Sequence, residues 1–192
     1  MSFQKIPLFI LLALHLSFGQ SQKLIHLDGT YDLDGDKWLE FIALGLNPVD
    51  EYFPSTVEYY ELDEDGYQVK KWEFSPPSEM DGYFVNAMIG DIQGDGFPDL
   101  ITVMNLSRLG DNASPHVFIA VYDWNGETFS ELPIATLDIG KQGQSLRCNN
   151  FALLDMDADG VQEIVLALGS PFRGFAFVGM DENTHLSVIK KI

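Results

Sequence analysis

Three stretches of the chain crowd acidic side chains into nine positions each, at a spacing suited to binding a cation. They read DLDGDKWLE (residues 32–40), DIQGDGFPD (91–99) and DMDADGVQE (155–163). Carboxylates this close repel one another unless a positive charge lies among them. The copies begin at residues 32, 91 and 155, a near-constant interval that indicates an internal repeat.

The residue types in this pattern favour calcium. Calcium takes about six to eight oxygen ligands, and side chains at positions one, three, five and nine of a tight loop can converge on one ion with the backbone carbonyl of position seven. Nitrogen and sulfur ligands, which favour zinc, are absent from the pattern. We therefore predict up to three Ca²⁺ ions; the alternative is an unoccupied acidic turn held by hydrogen bonds between side chains and backbone. The predicted metal residues are Asp32, Asp34, Asp36, Trp38, Glu40, Asp91, Gln93, Asp95, Phe97, Asp99, Asp155, Asp157, Asp159, Val161 and Glu163.

The three copies differ in how well their residues are suited to bind a cation. The third has four carboxylates and Gly160 at position six, where a sharp reversal needs glycine, and is expected to bind best. The first also has four carboxylates, but Lys37 stands at position six, where a positive φ is strained and an ammonium repels the ion. In the second, Gln93 replaces a carboxylate, so binding there is expected to be weaker.

Strands, and not helices, are predicted to flank each loop. A helix-flanked EF-hand needs a glutamate at position twelve, where this chain has Ala43, Thr102 and Leu166. The segments LEFIAL, DLITVM and EIVLAL that follow the acids are short and apolar on both faces, which is typical of strands covered on both sides.

A strand also leads into each loop, and a hairpin follows each loop strand. The hairpins are predicted within residues 56–74, within 116–132 around Asn125-Gly126, and within 174–192. Each unit then has four antiparallel strands, which favours an all-β fold: a partial β-propeller of three four-stranded blades. A β-sandwich built from the same strands is the alternative. The predicted blades are residues 20–78, 79–142 and 143–192 of one domain, 20–192.

The first 19 residues have the layout of a cleaved signal peptide, with Lys5 followed by an apolar run from Ile6 to Phe18. The alternative, a membrane anchor, needs about 20 apolar residues, more than this run offers. We therefore expect a secreted, periplasmic or cell-surface protein with no membrane span. Its net charge of −18 makes nucleic acid a poor partner. Its one cysteine, Cys148, cannot form an internal disulfide and is expected to be inert.

The acidic loops and their strands resemble the FG-GAP/VCBS repeat family, the calcium-loop β-propeller blades of integrin α-subunit heads and of many exported bacterial proteins. All three units share in this resemblance. It implies that the loop acids are calcium ligands and that the protein binds or scaffolds a partner. Because propellers usually close with about four to eight blades, we expect this chain to be an incomplete N-terminal portion with further blades, or to self-associate.

These observations predict a secreted calcium-binding module for protein or glycan binding or adhesion, in which calcium is mainly structural. The alternative is the propeller scaffold of a secreted polysaccharide-acting enzyme. We predict no catalytic residues, since the acid clusters are accounted for as metal loops and neither G-x-S-x-G nor H-E-x-x-H occurs. Five aromatic residues are expected to pack between blades, with a sugar-binding surface as the alternative: Tyr59, Tyr60, Trp72, Tyr122 and Trp124.

Overall fold

Twelve strands follow one another along the described part of the chain. The computed structural model describes residues 24–46, 54–76, 81–107, 115–140, 145–169 and 173–192. Within these ranges there are three antiparallel sheets of four strands each and no helix. The all-β prediction and its four-stranded units are confirmed. The predicted signal peptide, residues 1–19, lies outside the described residues.

In every sheet the strands pair in chain order, as an antiparallel meander. Sheet 1 contains β1 (Leu24–Tyr31), β2 (Glu40–Leu46), β3 (Pro54–Leu62) and β4 (Gln68–Phe74). Sheet 2 contains β5 (Asp81–Gly90), β6 (Asp99–Ser107), β7 (His116–Asp123) and β8 (Ala135–Ile139). Sheet 3 contains β9 (Cys148–Leu154), β10 (Glu163–Leu168), β11 (Gly174–Met180) and β12 (Leu186–Lys191).

Sheet 2 is the middle layer, and each of its faces packs into a separate hydrophobic core. Along β6, Leu100 and Met104 belong to the core shared with sheet 1. Their neighbours Ile101 and Val103 belong to the core shared with sheet 3. Successive side chains of a strand point to opposite faces, so a strand buried on both faces is mostly apolar. This explains the mostly apolar segment after the second acidic loop, in which Thr102 and Asn105 are buried polar residues.

Most of the aromatic residues singled out from the sequence pack between sheets 1 and 2. The ring centroids of Trp72 and Tyr122 are 5.1 Å apart, and those of Tyr59 and Trp124 are 5.7 Å apart, both edge to face. Tyr60 lies on the other face of sheet 1, where its ring stacks on Phe41 at 5.3 Å. The packing prediction is therefore confirmed for four of the five residues, which are buried and present no sugar-binding surface.

The second hairpin differs from its prediction. The chain does turn at Asn125, whose side chain accepts hydrogen bonds from the N–H groups of residues 127 and 128. After one isolated bridge between Trp124 and Phe129, however, pairing stops, and the fourth strand begins only at Ala135. Pro133 has no N–H to donate to a neighbouring strand, and Leu132 is 78% exposed. Residues 131–133 therefore loop out of the sheet.

A buried amide joins sheet 2 to sheet 3 at the cysteine. The Asn105 side chain donates to the Cys148 carbonyl and accepts from the Cys148 N–H, both at 2.8 Å. Burial raises the pKa of the Cys148 thiol to about 11, so the reactive thiolate is disfavoured at neutral pH.

No helix in the described ranges is long and apolar enough to cross a membrane.

Candidate metal-binding loops

Each acidic stretch forms the connection between the first two strands of its sheet. Loop 1 (residues 32–40) joins β1 to β2, loop 2 (91–99) joins β5 to β6, and loop 3 (155–163) joins β9 to β10. In all three, the acid at position nine is the first residue of the second strand. The loops are therefore flanked by strands, as predicted.

The three loops share one set of side-chain to backbone hydrogen bonds. The carboxylate at position one accepts the N–H of position six, at 3.2, 2.9 and 3.1 Å in loops 1 to 3. The carboxylate at position five accepts the N–H of position seven, at 2.7, 2.9 and 2.8 Å. The carboxylate at position nine accepts the N–H of position two, at 3.1, 3.0 and 2.8 Å. Acids at one, five and nine therefore shape the loop as well as carrying its charge.

The backbone has a positive φ at positions four and six of every loop. At position six the φ angles are 80° for Lys37, 86° for Gly96 and 96° for Gly160. The reversal predicted at this position is present, and Lys37 adopts it at a cost that glycine avoids. At position four, Ala158 has a φ of 63° where loops 1 and 2 have glycine. The residue pattern did not indicate this second requirement, because alanine stands among two glycines at position four.

Replacing Lys37 with glycine is expected to stabilise the metal-free protein by about 0.5–1 kcal/mol, because relief of the strained φ exceeds the extra entropy of glycine in the unfolded chain. The measurement is chemical denaturation in the presence of a chelator. Lys37→Ala is the matched control, since it removes the ammonium but keeps a Cβ at the strained position. Lys37→Ala is expected to bring no gain, because without the ion the ammonium attracts the loop acids. An equal gain in both variants would contradict the role of backbone strain.

The carboxylates at position nine are buried, whereas most of the other loop acids are exposed. Glu40 and Asp99 are both 0% exposed, and Glu163 is 9% exposed. Burial raises the pKa of Glu40, and the nearby charges of Asp34 and Asp32 act in the same direction. Burial likewise raises the pKa of Asp99 to about 6, against the lowering effect of its hydrogen bonds. The charged forms of Glu40 and Asp99 are therefore costly unless a positive group compensates them.

Loops 1 and 3 each bring three acidic side chains together. One oxygen from each of Asp32, Asp34 and Asp36 lies within 4.8 Å of the others in loop 1. In loop 3 the group consists of Asp155, Asp157 and Glu163, within the same distance. Asp159 is exposed and outside this group. At position seven, Trp38 and Phe97 expose 40% and 60% of their surface, whereas Val161 is half-buried.

The residues of loop 1 fit a hard cation. Among the described residues, the buried oxygen Oε1 of Glu40 has no hydrogen-bond partner, while its Oε2 accepts the Leu33 N–H. A buried oxygen left without a partner costs about 1–3 kcal/mol. Glu40 lies outside the group of three gathered acids, and a cation held by them close enough to this oxygen would supply the missing interaction. All the gathered donors are oxygens, the ligands that calcium prefers.

The family comparison covers loops 1 and 2. Residues 32–102 match the model of the FG-GAP-like repeat. This segment is similar to an FG-GAP-like repeat. The family resemblance inferred from the sequence is confirmed there. No curated protein matches the chain.

The matched FG-GAP-like segment begins at the first acid of loop 1 and ends shortly after loop 2. Loop 3 lies beyond it and is related to the other two by its residue pattern and its hydrogen bonds. Loop 3 also borders a cavity of about 280 Å³, whose lining includes Asp157, Glu163, Phe177 and Lys190. Two of its three gathered acids therefore face an open space.

Loop 2 of the FG-GAP-like repeat is arranged differently. The Gln93 side-chain amide donates to Asp99 at 2.8 Å and to Asp123 at 3.4 Å. Asp123 lies on β7, directly opposite Asp99 in the strand register. It was missed because it is 24 positions from Asp99 in the sequence and is brought there only by strand pairing. No group of three gathered acids forms around loop 2 in the part of the chain that the structure describes.

Loops 2 and 3 touch each other. The Gln162 N–H donates to the Asp91 carbonyl at 3.2 Å. A Cβ at Gly94 would lie only 2.6 Å from the Val161 side chain. Glycine at position four of loop 2 therefore serves both a positive φ of 73° and this close approach.

Proposed function

We propose that the protein is a secreted calcium-binding β-propeller repeat module that binds a protein or a glycan, with calcium acting mainly as a structural ion. The observation that carries this function is the gathering of three acidic side chains in each of loops 1 and 3, within 4.8 Å. The FG-GAP-like segment at residues 32–102 supports it independently.

Calcium, when bound, would supply the positive charge that these acids lack. The chain's own residues already hold the loops in shape, because the acids at positions one, five and nine accept backbone N–H groups. Asp32, Asp34, Asp36 and Glu40 would bind the ion in loop 1, and Asp155, Asp157 and Glu163 would bind it in loop 3. A calcium ion that binds the folded state and not the unfolded state increases the free energy of unfolding.

The propeller arrangement is supported by the stacking of the sheets. Three four-stranded meanders follow one another in the chain, and consecutive sheets share a hydrophobic core. Repetition of this packing in further units, from a longer chain or from a second copy, is how blades close into a ring. Secretion is proposed from the leader-like residues 1–19.

Binding is a better assignment than catalysis for the acidic side chains. Acid–base catalysis needs a carboxylate free to exchange a proton with a substrate. Here the acids at positions one, five and nine of each loop hold the backbone of their own loop through at least one oxygen, which is a structural role. Exposed aromatic side chains at position seven, Trp38 and Phe97, are instead suited to contact a ligand at the loop end of the sheets.

Arrays of glycans and of extracellular proteins, probed in calcium and in chelator, test this function. We expect retention in calcium that falls about tenfold in Trp38→Ala or Phe97→Ala, as at an interface hot spot. Phe175→Ala is the control, because Phe175 is 49% exposed but is the second residue of β11, at the end of its sheet opposite loop 3. Release of shortened sugar chains from polysaccharides would support the enzyme alternative instead.

A further inference from the structure

We propose, building on the function proposed above, that loop 2 binds no metal: the side-chain amide of Gln93 takes the place that a cation has in loops 1 and 3. The protein would then carry two calcium ions, on its outer sheets, and one metal-independent loop on the middle sheet.

The hydrogen bonds of Gln93 are the first support. Its amide nitrogen has two hydrogens, and it donates to two carboxylates, Asp99 at 2.8 Å and Asp123 at 3.4 Å. Asp99 is fully buried and lies opposite Asp123 in the strand register. Rotating the amide by half a turn would place its oxygen against the same two carboxylates, which is repulsive. The donor therefore lies between two acids, as a cation would.

The remaining acids of loop 2 are also satisfied by the backbone. Asp91 accepts three N–H groups, from Gly94 at 2.6 Å, Asp95 at 3.2 Å and Gly96 at 2.9 Å. In loop 1 the corresponding Asp32 accepts the Lys37 N–H at 3.2 Å.

The contrast with loop 1 is sharpest at position nine. Asp99 uses both carboxylate oxygens, one for the Ile92 N–H and one for the Gln93 amide. Glu40 uses one oxygen for the Leu33 N–H, and among the described residues its other oxygen has no partner. The groups of three gathered acids found across the described ranges belong to loops 1 and 3. Position three is where the number of acids differs, because loops 1 and 3 have aspartate there and loop 2 has Gln93.

A metal-independent loop 2 has a clear consequence for the fold. Sheet 2 has a hydrophobic core on each face, and the acids of loop 2 accept hydrogen bonds from loop 2 itself. The middle sheet would therefore keep its loop ordered when calcium is removed, whereas loops 1 and 3 would lose their compensating charge. Calcium would control the outer sheets of the protein and leave the middle one unchanged.

Counting the ions bound to the intact protein by native mass spectrometry in calcium tests this inference. We expect two ions in the wild type, three in Gln93→Asp and one in either Asp34→Gln or Asp157→Gln. Gln93→Asp places an aspartate at position three of loop 2, as in loops 1 and 3. Asp34→Gln and Asp157→Gln do the reverse and place a glutamine at position three of loops 1 and 3. Circular dichroism establishes that each variant is folded.

The outcomes separate this inference from the proposed function. Three ions in the wild type, or one ion kept by the double variant Asp34→Gln/Asp157→Gln, would place calcium in loop 2 and overturn the inference while leaving the proposed function intact. The double variant decides the matter even where Gln93→Asp does not fold. A wild-type count of zero would overturn the proposed function and this inference together.

Discussion

Removal of divalent ions by a chelator is expected to lower the melting temperature of the protein by about 6–11 °C relative to 1 mM calcium. Extracellular sites bind calcium with a Kd of about 10⁻⁴ M at their tighter end. At tenfold excess each site then adds about 1.4 kcal/mol to the free energy of unfolding, and two sites add about 2.8 kcal/mol. For a chain of this size, 1 kcal/mol shifts the melting temperature by about 2–4 °C.

Differential scanning calorimetry of the protein in calcium, in magnesium and in chelator measures this effect. Magnesium is the matched control, since it demands a smaller and more regular shell of ligands and is expected to protect less. Identical melting curves in calcium and in chelator would contradict the structural role of the ion.

Glu40→Gln is expected to have opposite effects on metal binding and on the stability of the metal-free protein. Its loss of a carboxylate should weaken calcium binding in loop 1 by about 100-fold or more, and so roughly halve the calcium-induced rise in melting temperature. In chelator, the same change should stabilise the protein by about 1 kcal/mol, because a buried charge without a compensating ion is replaced by a neutral group. The new amide oxygen can still accept the Leu33 N–H.

Glu64→Gln is the control for this substitution, because Glu64 is an exposed acid in the turn between β3 and β4. It is expected to change stability by less than about 0.5 kcal/mol in either condition. Calorimetry of both variants with and without calcium gives the comparison. An unchanged calcium-induced rise in Glu40→Gln would show that Glu40 is not a metal ligand, and a loss of stability in chelator would contradict the cost assigned to its buried charge.

The parts of the fold that depend on local residue order were predictable from the sequence. The acids at fixed intervals predicted the loops. The apolar runs after them predicted the flanking strands and the all-β class. The requirement for a positive φ at Lys37 followed from comparing position six across three copies. Repetition was the useful signal, because one copy alone would not separate a structural position from a variable one.

Features that depend on distant pairing or on small backbone details were not predictable. Asp123 reaches loop 2 only because β7 pairs with β6 in a register that puts it opposite Asp99. The amide of Gln93 looked like a weaker oxygen ligand in the sequence, and only its hydrogen bonds show it as a donor to two acids. The late start of β8 at Ala135 depends on how Pro133 leaves the sheet, which the Asn125-Gly126 turn signal does not indicate.

Titration of calcium into the metal-stripped protein, followed by isothermal calorimetry, tests most directly whether the acidic loops hold the ion. We predict saturable binding with a Kd between about 10⁻⁴ and 10⁻³ M, abolished in Asp34→Gln/Asp157→Gln. Absence of saturable binding up to about 10 mM calcium, well above that range, would contradict the account. Undiminished binding in the double variant would also contradict the assignment of the ion to loops 1 and 3.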